Sequence, residues 1–271
     1  MPATPLLEIA KRSLSDTNER PFSVYSSLRE QRLLNVPIIK PLLIVVLEGE
    51  KQLGQSNPVS VHADQFVLLS NNPSVHMRNV PSQREYFALL IEFEFDDFLC
   101  LHAAADPTPA EYVTGHVDEL LNESLRQFVG WSEHAPRALW AHRRQELLKI
   151  LLHGGHTSLC TVAESHHLSN QLFRLVSDSI GKSLSAKSAA QQLSISEASL
   201  RRKLALEGTS FQVIKDQVRL THGLHLLQTT HRQIGLIAGQ CGYSSASRFT
   251  DKFKTQFGIT PSELRSTRMS E

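Results

Sequence analysis

The stretch from Ile234 to Arg265 restricts the possible folds of this chain more than any other. A short helical run ends near Gln240, and Gly242 follows it. Glycine reaches positive φ without steric cost, so a tight turn is expected there. Ser244 or Ser245 is placed to cap a second helix by accepting a bond from a free backbone N–H. In that helix Phe249, Phe253 and Phe257 recur at i, i+4 and i+8 and share one face. The opposite face carries Ser247, Arg248, Asp251 and Thr255, with Lys252 and Lys254 at its flanks. Helix, glycine turn and helix, with a polar and partly basic outer face, is the layout a helix-turn-helix needs to enter a DNA groove.

Charge supports that reading once it is divided along the chain. The net value of +1 conceals 13 Lys and Arg against 6 Asp and Glu in residues 182–271, a net of +7. Residues 1–181 carry 15 against 21, a net of −6. Such asymmetry points the C-terminal part toward a polyanion. The 271 residues allow one large domain or two ordinary ones, and 41% hydrophobic content is enough for a proper core. The longest apolar stretch, Pro41 to Leu47, is too short to span a bilayer, and no membrane partner is expected. The first ten residues show no basic region followed by a long apolar one, so no secretory signal is expected and the cytoplasm is the expected location. Cys100, Cys160 and Cys241 are far apart and form neither a zinc pattern nor a disulfide framework.

Residues 1–37 read as polar and irregular, broken by Pro2, Pro5, Pro21 and Pro37. Ile38 to Leu47 reads as one buried strand ending at the Glu48-Gly49 turn. Lys51–Gly54 begins a return strand, and Gln65–Ser70, Val75–Val80 and Tyr86–Phe95 are further strands. Short strands between turn residues predict a small all-β sandwich or barrel. After Phe98 the period becomes helical. Val113, Val117, Leu120, Leu121, Leu125 and Phe128 trace one stripe over residues 110–130, and a second helix runs from about Ala138 to Leu152 before Gly154-Gly155. These helices can cover the sheet, pair with another subunit, or do both.

The linker region holds a helix at Leu168–Ile180, ended by Gly181. Ala186–Leu193, a turn at Ser194–Ser196, and a helix over 197–206 capped by Ser196 make an earlier helix-turn-helix. Its Leu200 and Leu204 point inward, while Ala198, Ser199, Arg202 and Ala205 lie roughly opposite, with Arg201 and Lys203 at the sides. Capping boxes are predicted at Thr209/Gln212, Thr230/Gln233 and Thr260/Glu263, the last with Pro261 at the first helical position. The helix from Thr209 to about Gln228 is roughly 28 Å long at ~1.5 Å per residue. It can therefore hold two recognition helices about one DNA turn apart, ~34 Å, so that a monomer reads an asymmetric site.

The residues 183–265 resemble the AraC/XylS family of bacterial transcription regulators. The strongest part is Ile237-Ala238, Gly242-Tyr243-Ser244-Ser245, Ser247, Phe249, Phe253-Lys254, Gly258, Thr260-Pro261 and Leu264-Arg265. Leu264 stands where the family usually has Phe or Tyr, Leu204 replaces a usual phenylalanine, and Gly223 stands where alanine is common. Glycine there is expected to cost ~1 kcal/mol of helix stability. Residues 199–211 look like the subgroup of acid-response and virulence regulators of enteric bacteria. More weakly, residues 41–51, 65–70 and 86–89 resemble the family's cupin-like N-terminus.

The resemblance implies an α+β chain: a cupin-like small β-barrel with strands over about 22–98 and two following helices over about 110–153, then an all-α domain with two helix-turn-helix units joined by a long helix. It divides the chain into a regulatory and dimerisation domain (1–160), a linker (161–181) and a DNA-binding domain (182–271). It places base contacts at Ala198, Ser199, Arg201 and Arg202 in the first unit and at Ala246, Ser247, Arg248 and Asp251 in the second. Arginine can bond guanine O6/N7 in two places and aspartate can accept from cytosine N4. Lys203, Lys252 and Lys254 suit phosphate contacts. Asp251 makes the second face the less basic, so the Arg201/Arg202 face is expected to supply more of the affinity. Promoter DNA, a second copy of the chain, RNA polymerase and a small effector such as a fatty acid or another small anion are the implied partners, and activation is the implied action.

No catalytic site, metal or cofactor is expected. His153 and His156, His166-His167, and His222 and His225 lack accompanying ligands at a familiar spacing. No Gly-x-Ser-x-Gly, Walker or dinucleotide pattern occurs. Lys40, His62, His76, Arg78 and Tyr86 are the side chains that could meet an effector carboxylate. Control by a protein partner without a small ligand, or a cupin-type enzyme fused to a DNA-binding tail, are the competing readings.

Overall fold

The structure, a computed structural model, describes residues 5–13, 19–70, 72–101, 110–161, 168–180 and 184–268. Among the described residues, nine strands form two antiparallel sheets. The first has the order β1 (Ser23–Ser27), β8 (Tyr86–Glu92), β3 (Leu42–Glu48), β6 (Gln65–Leu69), β9 (Tyr112–His116). The second has the order β2 (Gln31–Ile38), β7 (Asn72–Val80), β4 (Glu50–Leu53), β5 (Val59–His62). Ile44, Val46, Val67, Ala88 and Leu90 of the first sheet share a core with Leu33, Leu53, Val61 and Met77 of the second. Leu43, Val45, Phe66, Leu68, Phe87, Leu89 and Ile91 point to the other side of the first sheet. There they meet α1 (Pro5–Arg12), α2 (Glu119–Trp131) and α3 (Trp140–His153). Burial of β3 and β8 on both faces explains why their sequences are unbroken apolar runs and do not alternate.

Several expectations are corrected here. Residues 1–37 are not irregular throughout, since they hold α1, β1 and β2. Alpha-helix α1 is short but buries Leu6, Leu7 and Ala10, and its Lys11 pairs with the nearly buried Glu85. Ile38 to Leu47 is two strands, broken between Ile38 and Leu42 around Lys40-Pro41. Pro37 is tolerated within β2 because β2 lies at a sheet edge, where a missing N–H costs least. Residues 110–130 are not one helix. Val113 and Thr114 belong to β9, which pairs with β6, and Asp118 then caps α2 by accepting from the Leu121 N–H at 2.8 Å. The apparent stripe joined a strand to a helix because Val113 and Val117 happen to lie four apart.

The C-terminal helices are α4 (Leu168–Ser177), α5 (Ala186–Gln192), α6 (Glu197–Leu206), α7 (Phe211–Thr229), α8 (Ile234–Gln240), α9 (Ala246–Phe257) and α10 (Pro261–Ser266). Helix α4 stops three residues earlier than expected. Gly181 and the His166-His167 pair lie outside the described residues. The expected box at Thr260 is present, with the Glu263 carboxylate accepting from both the N–H and the hydroxyl of Thr260. The other two boxes are corrected. Ser210, one residue after Thr209, caps α7 by accepting from the Val213 N–H. Thr230 ends α7, its hydroxyl donating to the Leu226 carbonyl, while Gln233 precedes α8 without a side-chain cap.

The barrel core runs on into these helices. Leu220, Leu224 and Leu227 of α7, Ile237 of α8, Phe249, Phe253 and Phe257 of α9 and Leu264 of α10 belong to the same buried cluster as the barrel interior. A register shift in β2 between Leu33 and Val36, with Asn35 at φ 46°, turns Leu34 and Asn35 toward α9. Leu34 packs beneath Gly258, where an added Cβ would approach its Cδ1 to 2.8 Å. The Gln256 side chain donates to the Asn35 carbonyl at 2.6 Å, and the Asn35 amide donates back to the Gln256 carbonyl at 3.4 Å. Among the described residues, no helix is long and apolar enough to cross a membrane.

Candidate nucleic-acid interface

The second helix of each helix-turn-helix unit is built by local rules. Ser196 caps α6 by accepting from the Ser199 N–H at 3.1 Å, and Ser245 caps α9 by accepting from the Arg248 N–H at 3.3 Å. The turns before them use left-handed backbone, at Ser194 (φ 57°) in the first unit and at Gly242 (φ 77°) in the second. Gly258 at φ 74° ends α9, its N–H donating to the Lys254 carbonyl. Phe249, Phe253 and Phe257 are fully buried, and Tyr243, Phe249, Phe253 and Phe257 form a chain of tilted ring contacts with centroids 4.6–5.5 Å apart. This spine fixes the rotation of α9 about its axis and therefore which residues face outward.

The outward residues include most of those named from the sequence. Ala198, Arg201, Arg202 and Lys203 on α6 are exposed, as are Ala246, Ser247, Arg248, Asp251, Lys252 and Lys254 on α9. Ser199 is half-buried, and its oxygen accepts from the Ser196 hydroxyl at 3.0 Å, so its side chain is already engaged at the helix start. Arg201 makes a long contact with Glu197 at 3.5 Å while remaining open to solvent. The guanidinium groups of Arg202 and Arg248 make no hydrogen bond or ion pair among the described residues. Lys252 is held by Asp216 of α7 at 3.2 Å, with Gln212 donating to the other oxygen of that carboxylate at 2.9 Å. Sequence reasoning missed Asp216, because the pair joins two helices 36 residues apart and no spacing announces it.

Gly223 has a positive reason to be glycine. A Cβ there would lie 2.7 and 2.8 Å from the Phe249 ring and 3.3 Å from the Cys241 sulfur. The connector gives up helix propensity so that the first phenylalanine of α9 can pack directly against its backbone. The 19 residues of α7 span roughly 28 Å at ~1.5 Å per residue. Its first half packs with α5 and α6, and its second half packs with α8, α9 and α10.

The side chains named for an effector carboxylate are not gathered into one site. Lys40 is paired with Glu94 at 2.6 Å, and Arg78 with Glu30 through two short bonds. His62 is exposed, and His76 lies beside Gln55. Tyr86 is fully buried beneath a group the sequence reading passed over, the ammonium of Lys51, which lies 5.7 Å from its ring centre. Lys51 shares the inward face of β4 with Leu53, so the alternation Glu-Lys-Gln-Leu carried the signal. Burial pulls its pKa down to about 7. The histidines have ordinary structural places. His156 packs edge-on against Phe66, and burial lowers its pKa, while His225 receives or donates a bond to the Tyr25 hydroxyl at 3.2 Å. Among the described residues no three His, Cys, Asp or Glu side chains stand together as a metal group would require.

Two capped helices, each preceded by a helix and a tight turn and joined by one long connector, define a double helix-turn-helix protein with a barrel at its N-terminal end. Comparison with known proteins narrows that class. Residues 189–267 match the helix-turn-helix domain family model. The chain is 27% identical over 158 residues to the transcriptional activator RhaS of Salmonella paratyphi A, covering 56% of this chain and 57% of that one. It is 32% identical over 104 residues to the virulence regulon activator VirF of Shigella flexneri, covering 38% and 40%. The chain thus spans about half the length of the curated relatives it matches. Its fold matches that of ToxT from Vibrio cholerae with an unsaturated fatty acid bound, at TM-score 0.65 and 17% identity, over 94% of this chain and all of that one. The C-terminal helices are a helix-turn-helix domain, on a fold shared with ToxT along nearly the whole chain.

Proposed function

We propose that the chain is a sequence-specific DNA-binding transcription regulator. Its division is a regulatory and dimerisation domain (1–160), a linker (161–181) and a DNA-binding domain (182–271). The observation that carries the reading is the pair of capped helices, α6 and α9, whose polar faces are exposed at the two ends of one rigid connector. They enter successive major-groove segments on one side of the duplex. Arg202 and Arg248 read bases, with Ala198, Ser199, Arg201, Ala246, Ser247 and Asp251 around them, and Lys203 and Lys254 meet phosphate. Lys252 joins them once Asp216 releases it.

The names of RhaS and VirF support activation, which brings RNA polymerase as a partner, and the cytoplasm is where such a protein acts. The fatty acid in the ToxT structure supports a small anionic effector for the barrel. Dimerisation is assigned to α2 and α3. Leu120 and Leu139 are 52% and 45% exposed, and a groove of about 530 Å³ runs between the helices, lined by Leu120, Ser124, His142, Glu146, Lys149 and His153. Site selection followed by duplex binding tests the central reading. Arg202→Ala and Arg248→Ala are each expected to cost about 1–3 kcal/mol and to relax preference at one base position. Unchanged affinity and preference in both variants would remove these faces from the interface.

A further inference from the structure

The two helix-turn-helix units belong to different hydrophobic cores. Helices α5 and α6 pack with α4 and the first half of α7, through Phe173, Leu200, Leu204, Ile214 and Val218. Of the barrel, Ile39 alone joins that core among the described residues. The Glu207 carboxylate, just after α6, accepts from the N–H groups of Leu168 and Ser169 at 2.8 and 2.9 Å and so ties the first unit to α4. Helices α8, α9 and α10 instead share the barrel's own core.

A buried polar network crosses that second junction. The Lys51 ammonium donates to Asn79 Oδ1 at 2.8 Å, and Asn79 donates to Gln31 Oε1 at 3.0 Å. The same Gln31 oxygen accepts from Gln228 at the end of α7 at 3.1 Å. The Gln31 amide donates to the Thr267 hydroxyl at 2.6 Å, and the Leu28 N–H donates to the Thr267 carbonyl at 2.7 Å. Lys51, Asn79, Gln31 and Gln228 are each less than 5% exposed, so the network is shielded from bulk solvent. The network is also incompletely satisfied, since Gln228 Oε1 has no hydrogen-bond partner among the described residues. In the low dielectric of the interior each of these bonds is stronger than in water and a member that loses its partner is costly, so the network holds the junction in one geometry and its members are coupled.

We propose that this network, together with the Asn35–Gln256 pair, is a latch through which the barrel sets the position of the second helix-turn-helix unit and leaves the first unit to α4. The inference rests on the reading of the chain as a DNA-binding regulator with a sensing barrel. A signal that displaces β2 or β4 loosens Gln228, Thr267 and Gln256 together. Helix α9 then moves relative to α6, and the separation of the two recognition helices changes. Regulation acts on the half-site read by α9, while the half-site read by α6 serves as a constant anchor.

Hydrogen–deuterium exchange of the full chain tests this without DNA. Gln31→Leu breaks the network at its centre, and Gln256→Ala breaks the half-buried outer pair with less risk to folding. Gln31→Leu is expected to speed amide exchange in α8, α9 and α10 by about tenfold, and Gln256→Ala, which removes only the shorter bond of the outer pair, by about threefold, with α5 and α6 unchanged in both. Glu207→Ala is expected to do the reverse, loosening α4 and α6 only. Equal acceleration in both units, or no selective change in either latch variant, overturns the proposal. Footprinting on duplex DNA then separates the latch from the reading beneath it. Selective weakening of one half-site in Gln31→Leu supports both, whereas the exchange pattern without any duplex binding by the parent chain sinks the functional reading and leaves the latch standing.

Discussion

Replacing Lys51 with methionine gives the sharpest physical test of the barrel interior. Lys51 is 4% exposed, and among the described residues its ammonium bonds a neutral amide oxygen and no carboxylate. Burial therefore disfavours the ammonium and takes the pKa from 10.5 in the unfolded chain to about 7 in the folded one. Below pH 7 both states bind the proton, and the folded state carries a buried charge. Between pH 7 and 10.5 the unfolded chain binds more protons than the folded one, so stability rises with pH, by about 1.4 kcal/mol per unit. From pH 7.5 to pH 9.0 the gain is about 2 kcal/mol. Lys51→Met lacks this term, though it leaves Asn79 Oδ1 without its donor, at a pH-independent cost of about 1–3 kcal/mol. Urea unfolding of both chains at the two pH values isolates the effect, because all other titrating groups cancel in the difference. Stability of the parent relative to Lys51→Met is expected to increase by about 2 kcal/mol over that interval. Parallel pH profiles would show that Lys51 keeps its proton when folded and would refute the reasoning.

Three further outcomes concern the C-terminal helices. Gly223→Ala should destabilise by about 1–3 kcal/mol through overpacking against Phe249, despite the helix propensity it gains, and thermal or urea unfolding reads the sign directly. Ser245→Ala should cost about 1 kcal/mol of stability by leaving the first turn of α9 uncapped, measured by the shift in urea midpoint at constant slope. Asp216→Asn should release Lys252, tightening duplex binding and steepening the dependence of log affinity on log salt by about 0.9. An unchanged slope would mean that Lys252 does not reach phosphate.

The second helix-turn-helix unit was legible because its signals are local. The Phe249, Phe253 and Phe257 spine, Ser245, Gly242, Gly258 and the Thr260–Glu263 box each act within four residues, and each lies where the spacing placed it. The first unit was legible for the same reason. The barrel was legible as strands but not in its bounds, because β3 and β8 are buried on both faces and lose the alternation that marks a strand's ends. Strand β9 was hidden because β6, its partner among the described residues, is more than forty residues away. The caps at Thr209 and Thr230 failed because Ser210 competes for the first position and the Leu226 carbonyl competes for the second. Pairs between distant elements left no local trace at all. Asp216 with Lys252, Asn35 with Gln256, and Gln31 with Gln228 are set by packing between elements far apart in sequence.

The claim on which the rest depends is that α6 and α9 read one duplex together. Hydroxyl-radical footprinting of the full chain on its selected site, repeated with Arg202→Ala and Arg248→Ala, tests it. Two protected segments about 10 base pairs apart on one face of the duplex are expected, each variant losing a different one. A single protected segment, or loss of the same segment in both variants, would contradict it.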